Sequence, residues 1–108
     1  MRTTDLARLE RFYVDVLGLA VARRDDARGS VWLKAGSAVI MLESAEEGEP
    51  AVLGGSQELL AFAVDDKEPW RARVAVEAET AHTLYFRDPD GRRIAVSAYV
   101  LEPLNPGT

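Results

Sequence analysis

Hydrophobic residues near the N-terminus recur at intervals of three and four positions, and further along the chain they mostly alternate with polar or small residues. The first pattern predicts an amphipathic helix. Thr4 is placed to cap it at Asp5, and Gly18 stands where a helix ends in a left-handed residue. The residues of the helical stripe are Leu6, Leu9, Tyr13, Val16 and Leu17.

After the helix, short apolar runs separated by turn residues predict strands. Pro69 suits the first turn of a helix, but little room follows it, so we expect at most a short second helix there. The order is helix, three strands, loop, strand, short helix and three strands, which indicates an α+β fold with largely antiparallel strands. The predicted strands are Leu19–Arg24, Ser30–Ala35, Ala38–Glu43, Leu59–Val64, Val74–Glu79, Thr83–Arg87 and Arg92–Tyr99.

The two halves of this order look like copies of one β-α-β-β-β module. The first copy lacks its opening strand, for which the four residues MRTT supply at most a stub. We therefore expect one domain over residues 1–108, with a first module at about 1–45, a loop at 46–57 and a second module at about 58–101.

Composition narrows the classes of function. The net charge of -5 argues against nucleic acid as a partner, because phosphate binding needs a basic face. No apolar run approaches the roughly 18 residues of a membrane span, and the N-terminus has no signal-peptide pattern. The absence of cysteine excludes disulfides and thiolate metal sites and fits a cytoplasmic protein.

The segment Asp88-Pro89-Asp90-Gly91 joins the last two predicted strands. Its two carboxylates resemble a catalytic pair, but proline at the second position and glycine at the fourth are typical of a turn, in which aspartate accepts hydrogen bonds from nearby amides. We expect a structural role for both aspartates.

In their order along the chain, several short motifs resemble the vicinal oxygen chelate superfamily, which includes glyoxalase I, bleomycin-resistance proteins, fosfomycin-resistance enzymes and extradiol dioxygenases. The resemblance implies paired β-α-β-β-β modules whose mixed sheets curl into a cup, with the first strand truncated here and the second helix short. The matching pieces are Phe12-Tyr13, Asp15, Leu17-Gly18-Leu19, Ala61-Phe62, Val64-Asp65-Asp66 and Asp88-Pro89-Asp90-Gly91.

The resemblance also implies where a divalent metal would be held. Metal-dependent members supply histidine, glutamine or glutamate from four strands. The first of these positions has no counterpart here. The others fall at Met41 (Ile40 if the register slips by one), Leu59 and Ala95. None of these side chains suits a hard or borderline cation, so we expect neither a metal nor another cofactor.

Strand alternation then predicts the lining of a metal-free cup. The expected ligand-binding residues are Trp32, Met41, Leu59, Tyr85, Ala95, Ser97 and Tyr99. Such a concave, aromatic and apolar surface is typical of a small-molecule site and suits a flat aromatic or a cationic ligand. The same residues would also suit a sheet interior or a subunit interface.

Three interpretations remain at this stage. The first, which we adopt, is a metal-free protein of the bleomycin-resistance type that sequesters a small molecule, without catalytic residues, as a homodimer whose second chain covers the edge left by the short first strand. The second is a metal-dependent lyase or dioxygenase with unusual ligands such as His82 or Glu43. The third is a non-catalytic dimerisation module.

Overall fold

The structure, a computed structural model, describes residues 1–49 and 59–98. Its strands and its one α-helix are β1 Arg2–Thr3, α1 Leu6–Arg11, β2 Ala20–Asp25, β3 Ser30–Ala35, β4 Ala38–Ser44, β5 Leu59–Ala63, β6 Ala78–Glu79, β7 Thr83–Arg87 and β8 Arg93–Ser97. Helix α1 continues as a π-helix over Phe12–Val16, and a 3₁₀ turn spans Glu68–Trp70. None of the helices within the described ranges has the length and hydropathy that a membrane span requires.

Both ends of the N-terminal helix are closed by local hydrogen bonds. The predicted cap at Thr4 is wrong: the carboxylate of Asp5 accepts a hydrogen bond from the amide of Arg8 at 3.1 Å. At the other end Gly18 has a φ of 78°, as predicted. The amide of Leu19 then donates to the carbonyl of Tyr13 at 3.0 Å, which folds the chain back over the last turn.

The strands form two four-stranded mixed sheets and no closed barrel, which confirms the predicted α+β fold of paired modules. The first sheet has the order β1-β4-β3-β2, and the second has the order β5-β8-β7-β6. The opening strand of each is parallel to its neighbour, and the other pairs are antiparallel. As predicted, β1 is a two-residue stub and the second helix is reduced to one 3₁₀ turn.

One predicted strand is much shorter in the structure. Only Ala78 and Glu79 of the segment 74–79 form β6, opposite Tyr85 and Leu84. Val74 instead packs against the core, so the chain first reaches β7 at Glu77, whose amide donates to the carbonyl of Tyr85.

Both sheets bury one face in a single hydrophobic core around the N-terminal helix. The rings of Phe12 and Phe86 lie 6.2 Å apart and join helix to second sheet. Because the inner faces of both sheets meet this core, their outer faces point away from it. The buried residues of the core are Leu9, Tyr13, Leu17, Val31, Leu33, Leu42, Leu84, Phe86, Ile94 and Val96.

A buried polar network fastens the helix to the last hairpin. The hydroxyl of Tyr13 donates to Oδ2 of Asp88 at 2.8 Å, and Nη1 of Arg92 donates to the same oxygen at 3.1 Å. Oδ1 of Asp88 accepts from the amides of Asp90 and Arg92, each at 2.9 Å. Arg92 also donates to the carbonyl of Arg2 in β1. The structural role predicted for the two aspartates is confirmed.

Candidate functional site

The outer face of the second sheet holds a shallow groove of about 370 Å³. It forms because the outward-facing residues of the edge strand β5 and of its neighbour β8 are small, so the backbone of these two strands lies low beside β7. Ala61, Ala95 and Tyr85 lie side by side across β5, β8 and β7. The residues that line the groove are Leu59, Ala61, Phe62, Ala63, Thr83, Tyr85, Ala95 and Ser97.

The lining is apolar except at one end. Ala95 is fully buried and forms the floor, whereas Leu59 is 44% exposed at the side of the groove. Ala63, Ser97 and Thr83 form the next row along the sheet. There the hydroxyl oxygens of Thr83 and Ser97 lie 2.8 Å apart in a hydrogen bond. The groove therefore offers shape and apolar surface, with one hydroxyl pair at its end.

At the opposite end two arginines lie across from each other in β7 and β8. The Arg93 guanidinium stacks over the ring of Tyr85, with Cζ 4.4 Å from the ring centroid. Arg87 pairs instead with Glu77, with a closest distance of 2.6 Å from Nε to the carboxylate. The hydrogen bonds from Arg87 lower the pKa of the Glu77 carboxyl. The charge of Arg93 also lowers this pKa, but the ion pair of Glu77 is with Arg87, so these three side chains together keep one net positive charge.

The structure unites part of the predicted lining. Leu59, Tyr85, Ala95 and Ser97 all line the groove. Trp32 and Met41 are cross-strand neighbours on the outer face of the first sheet and do not line it. Tyr99 lies outside the described residues. No single site within the described part of the chain therefore contains both groups.

Sequence reasoning left two polar features out of the predicted ligand-binding set. Thr83 lies opposite Ser97 in the hairpin, and Arg93 lies two positions before Ala95 on the same face of β8. Alternation along β8 and the register of the last hairpin were the available signals. The stacking of Arg93 on Tyr85 had no such signal, because it depends on the side-chain conformation of arginine.

A second cavity of about 390 Å³ lies at the end of the N-terminal helix. It borders the hydrophobic core through Leu17, Val96 and Trp70, and the guanidinium of Arg73 covers the Trp70 ring at 5.3 Å. Ser37 supplies the only hydroxyl side chain of its lining. The charge beside this cavity is already bonded, since Arg73 donates to the carbonyl of Val16, whereas Arg93 beside the groove forms no such hydrogen bond with the described residues. We therefore consider the groove the better candidate site.

The residues present do not fit the metal that the family resemblance implies. Met41 lies on the first sheet, and Leu59 and Ala95 line the groove without any nitrogen or oxygen donor in their side chains. Within residues 1–49 and 59–98, no three histidine, cysteine, aspartate or glutamate side chains lie close enough together to hold an ion. The two unusual metal ligands considered in the sequence, Glu43 and His82, lie in different sheets or at their ends: Glu43 is in β4, and His82 directly precedes β7.

Comparison with solved structures supports the same fold. A lactoylglutathione lyase from Agrobacterium tumefaciens is 25% identical, with a TM-score of 0.68 over 90% of this chain and 87% of that one. An integron cassette protein from the metagenome of the Halifax Harbour sewage outfall is 21% identical, with a TM-score of 0.73 over 92% and 93%. A fosfomycin resistance protein from Mesorhizobium loti is 16% identical, with a TM-score of 0.71 over 93% and 87%.

No curated protein sequence matches the chain significantly. A family model does match residues 1–96, a range that runs from β1 into β8. The chain therefore belongs to the Glyoxalase/Bleomycin resistance protein/Dioxygenase superfamily.

Proposed function

We propose that this protein binds a small planar ligand in the groove of the second sheet without a metal ion. The observation that carries the proposal is the row formed by Ala61, Ala95 and Tyr85. At Ala95, where the resemblance implies a ligating carboxylate, the side chain is a methyl group at the floor of an apolar groove. Affinity there comes from stacking and from the removal of apolar surface from water.

The size of the groove limits the ligand to about one or two rings. Its volume of about 370 Å³ is near the lower end of small-molecule sites. Burial of about 200 Å² of apolar surface contributes about 5 kcal/mol, part of which offsets the freedom lost on association. We therefore expect a dissociation constant of about 1 mM. A cationic ligand gains less at Tyr85, because Arg93 already covers one face of that ring.

Ala61→Phe is expected to weaken the binding of a neutral two-ring probe, 2-naphthamide, because the larger side chain fills the groove. Ala61 is exposed, so the larger side chain displaces no core residue. We expect a loss of affinity of more than about tenfold with little change in thermal stability. Backbone amide shifts of Ala61, Tyr85 and Ala95 during a titration to millimolar probe measure both the affinity and the location.

Ala20→Phe, in an exposed strand of the first sheet, is the matched control and should bind the probe as the wild type does. Saturable shifts confined to residues away from the groove, or unchanged affinity in Ala61→Phe, would contradict the proposal. So would a stoichiometric transition metal that stays bound through purification without added metal.

We also propose that two chains associate so that the first sheet of one covers the groove of the other. This arrangement would bring Trp32 and Met41 to the groove, which a single chain does not do. Trp32 is 38% exposed and Val39 is 53% exposed on that outer face, which leaves apolar surface to bury. In addition, β1 and Met1 cover the edge of β4 only from Met41 onward, so among the described residues no strand pairs with residues 38–40 on that side.

Sedimentation of the wild-type protein should therefore show a dimer at about 100 μM, a concentration at which a weak dimer is still populated. Trp32→Glu is expected to weaken the dimer by about 30-fold or more, because it places a charge in the centre of the interface. Val76→Glu adds the same charge at an exposed valine outside the strands and should leave association unchanged. A monomeric wild type would refute the dimer and leave the groove to be tested by the probe titration.

A further inference from the structure

Arg93 differs from the other arginines of the last hairpin in forming no salt bridge with the described residues, although its charge helps to lower the pKa of the nearby Glu77 carboxyl. Arg87 pairs with Glu77, and Arg92 pairs with Asp88 and Asp90. The Arg93 guanidinium lies instead over the face of the Tyr85 ring. Arg93 is half-buried on the same side of β8 as Ala95, so this charge stands at the rim of the groove.

A guanidinium that stacks on a ring keeps its hydrogen-bonding edge available. Stacking uses the flat face of the group, whereas its N–H donors point outward in the plane. This edge matches a carboxylate, which accepts two parallel hydrogen bonds from it. The ring also holds the guanidinium in one orientation, so less side-chain freedom is lost when an anion binds.

The rest of the groove has the dimensions of a short amphipathic ligand. Arg93 and Ser97 are four residues apart on β8, which corresponds to about 13 Å along an extended strand. Between them lie the methyl group of Ala95 and the apolar side of β5, and the Thr83–Ser97 hydroxyl pair closes the far end. A ligand with a charged group at one end and a flat ring system matches this arrangement, with the charge at Arg93 and the rings over Ala95.

We propose that the ligand of the groove is a planar aromatic carboxylate, whose carboxyl group binds the edge of Arg93 while its rings lie over Ala95. The proposal rests on the proposed function, since it assigns a ligand class to the same groove. It predicts a preference for anions in a protein whose net charge of -5 would otherwise disfavour them.

Three probes with the same two rings test this preference: 2-naphthoate, 2-naphthamide and 2-naphthylmethylammonium. We expect the wild type to bind the carboxylate about tenfold more tightly than the amide, because a charge-assisted hydrogen bond is added, and to bind the cation most weakly. Arg93→Gln should bring the carboxylate to the affinity of the amide. Isothermal titration at low and moderate salt gives the three constants, and the anion preference should decrease as salt rises.

Arg11→Gln makes the same change in net charge at an exposed position of α1 and should keep the anion preference. Unchanged amide affinity in Arg93→Gln shows that the groove remains intact in that variant. Equal affinity of the wild type for all three probes, or tighter binding of the cation, overturns the carboxylate assignment and leaves the groove proposal standing. Failure of all three to bind overturns both.

Discussion

Asp88→Ala is expected to lower the free energy of unfolding by about 3–5 kcal/mol, the range found when one partner of a buried ion pair is removed. Asp88 is only 4% exposed, and its carboxylate accepts four hydrogen bonds: from the Tyr13 hydroxyl, from the Arg92 guanidinium and from the amides of Asp90 and Arg92. Its removal leaves the Tyr13 hydroxyl buried without an acceptor and releases the turn that joins β7 to β8. Urea unfolding followed by far-ultraviolet circular dichroism measures the loss.

Tyr13→Phe separates the hydroxyl from the rest of this network. It removes one donor and leaves Oδ2 of Asp88 bonded to Arg92, so we expect a smaller loss of about 1 kcal/mol. Asp90→Ala is the matched control for the turn, because Asp90 keeps only an ion pair with Arg92 and lies nearer the surface. Equal destabilisation by Asp88→Ala and Asp90→Ala would contradict the assignment of Asp88 as the centre of the network.

The dependence of stability on pH gives a second readout of the same hydrogen bond. Burial and the neighbouring carboxylate of Asp88 raise the pKa of Tyr13 above that of an ordinary tyrosine. A pKa that is higher in the folded state contributes stability in full below pH about 10 and loses it above, by about 1.4 kcal/mol per pH unit. Between pH 9 and 11 the wild type should therefore lose more stability than Tyr13→Phe; parallel curves would refute this role.

Phe86→Ala is expected to cost about 3–5 kcal/mol, the second large effect, because it opens a cavity in the core. Phe86 is 1% exposed and its ring meets Phe12 of the N-terminal helix. Apart from one 3₁₀ turn, the N-terminal helix is the only helical segment in the described ranges. The buried faces of both sheets therefore depend on it for shielding from water. We expect a loss of cooperativity in chemical unfolding as the second sheet separates from the helix.

Tyr85→Ala is the matched control, since Tyr85 is the neighbour of Phe86 on β7 and faces the groove. Its truncation should cost much less stability and should weaken binding of the naphthalene probes, whereas Phe86→Leu should retain both stability within about 1.5 kcal/mol and probe affinity. A larger stability loss for Tyr85→Ala than for Phe86→Ala would show that the two faces of the second sheet are assigned the wrong way round.

The local elements were predictable because their signals lie within a few residues of one another. Ser30–Ala35 and Thr83–Arg87 are strands with the predicted bounds, and Gly18 ends the helix as predicted. The exceptions arose from competition between neighbours. Asp5 and Thr4 can both cap a helix, and the structure uses Asp5; Val74 alternates as a strand residue but packs with the core instead.

The candidate site was only partly predictable. Alternation placed Tyr85, Ala95 and Ser97 on one face, and the groove contains all three. The same rule placed Trp32 and Met41 on the corresponding face of the first sheet, without showing that neither residue lines the groove. Alternation assigns a side of a strand, but it carries no information about how two sheets are oriented around a shared helix.

The sequence by itself determined the family, the order of the elements, the side of β3, β4, β5, β7 and β8 that packs on the core and the lack of metal-ligating side chains at Leu59 and Ala95. These follow from residue identity and from spacings of two, three and four, which act locally. Only the tertiary structure decided that one helix serves both sheets, that Tyr13 reaches Asp88 75 positions away, and that Arg93 stacks on Tyr85. Such contacts depend on the packing of distant segments, which no local pattern specifies.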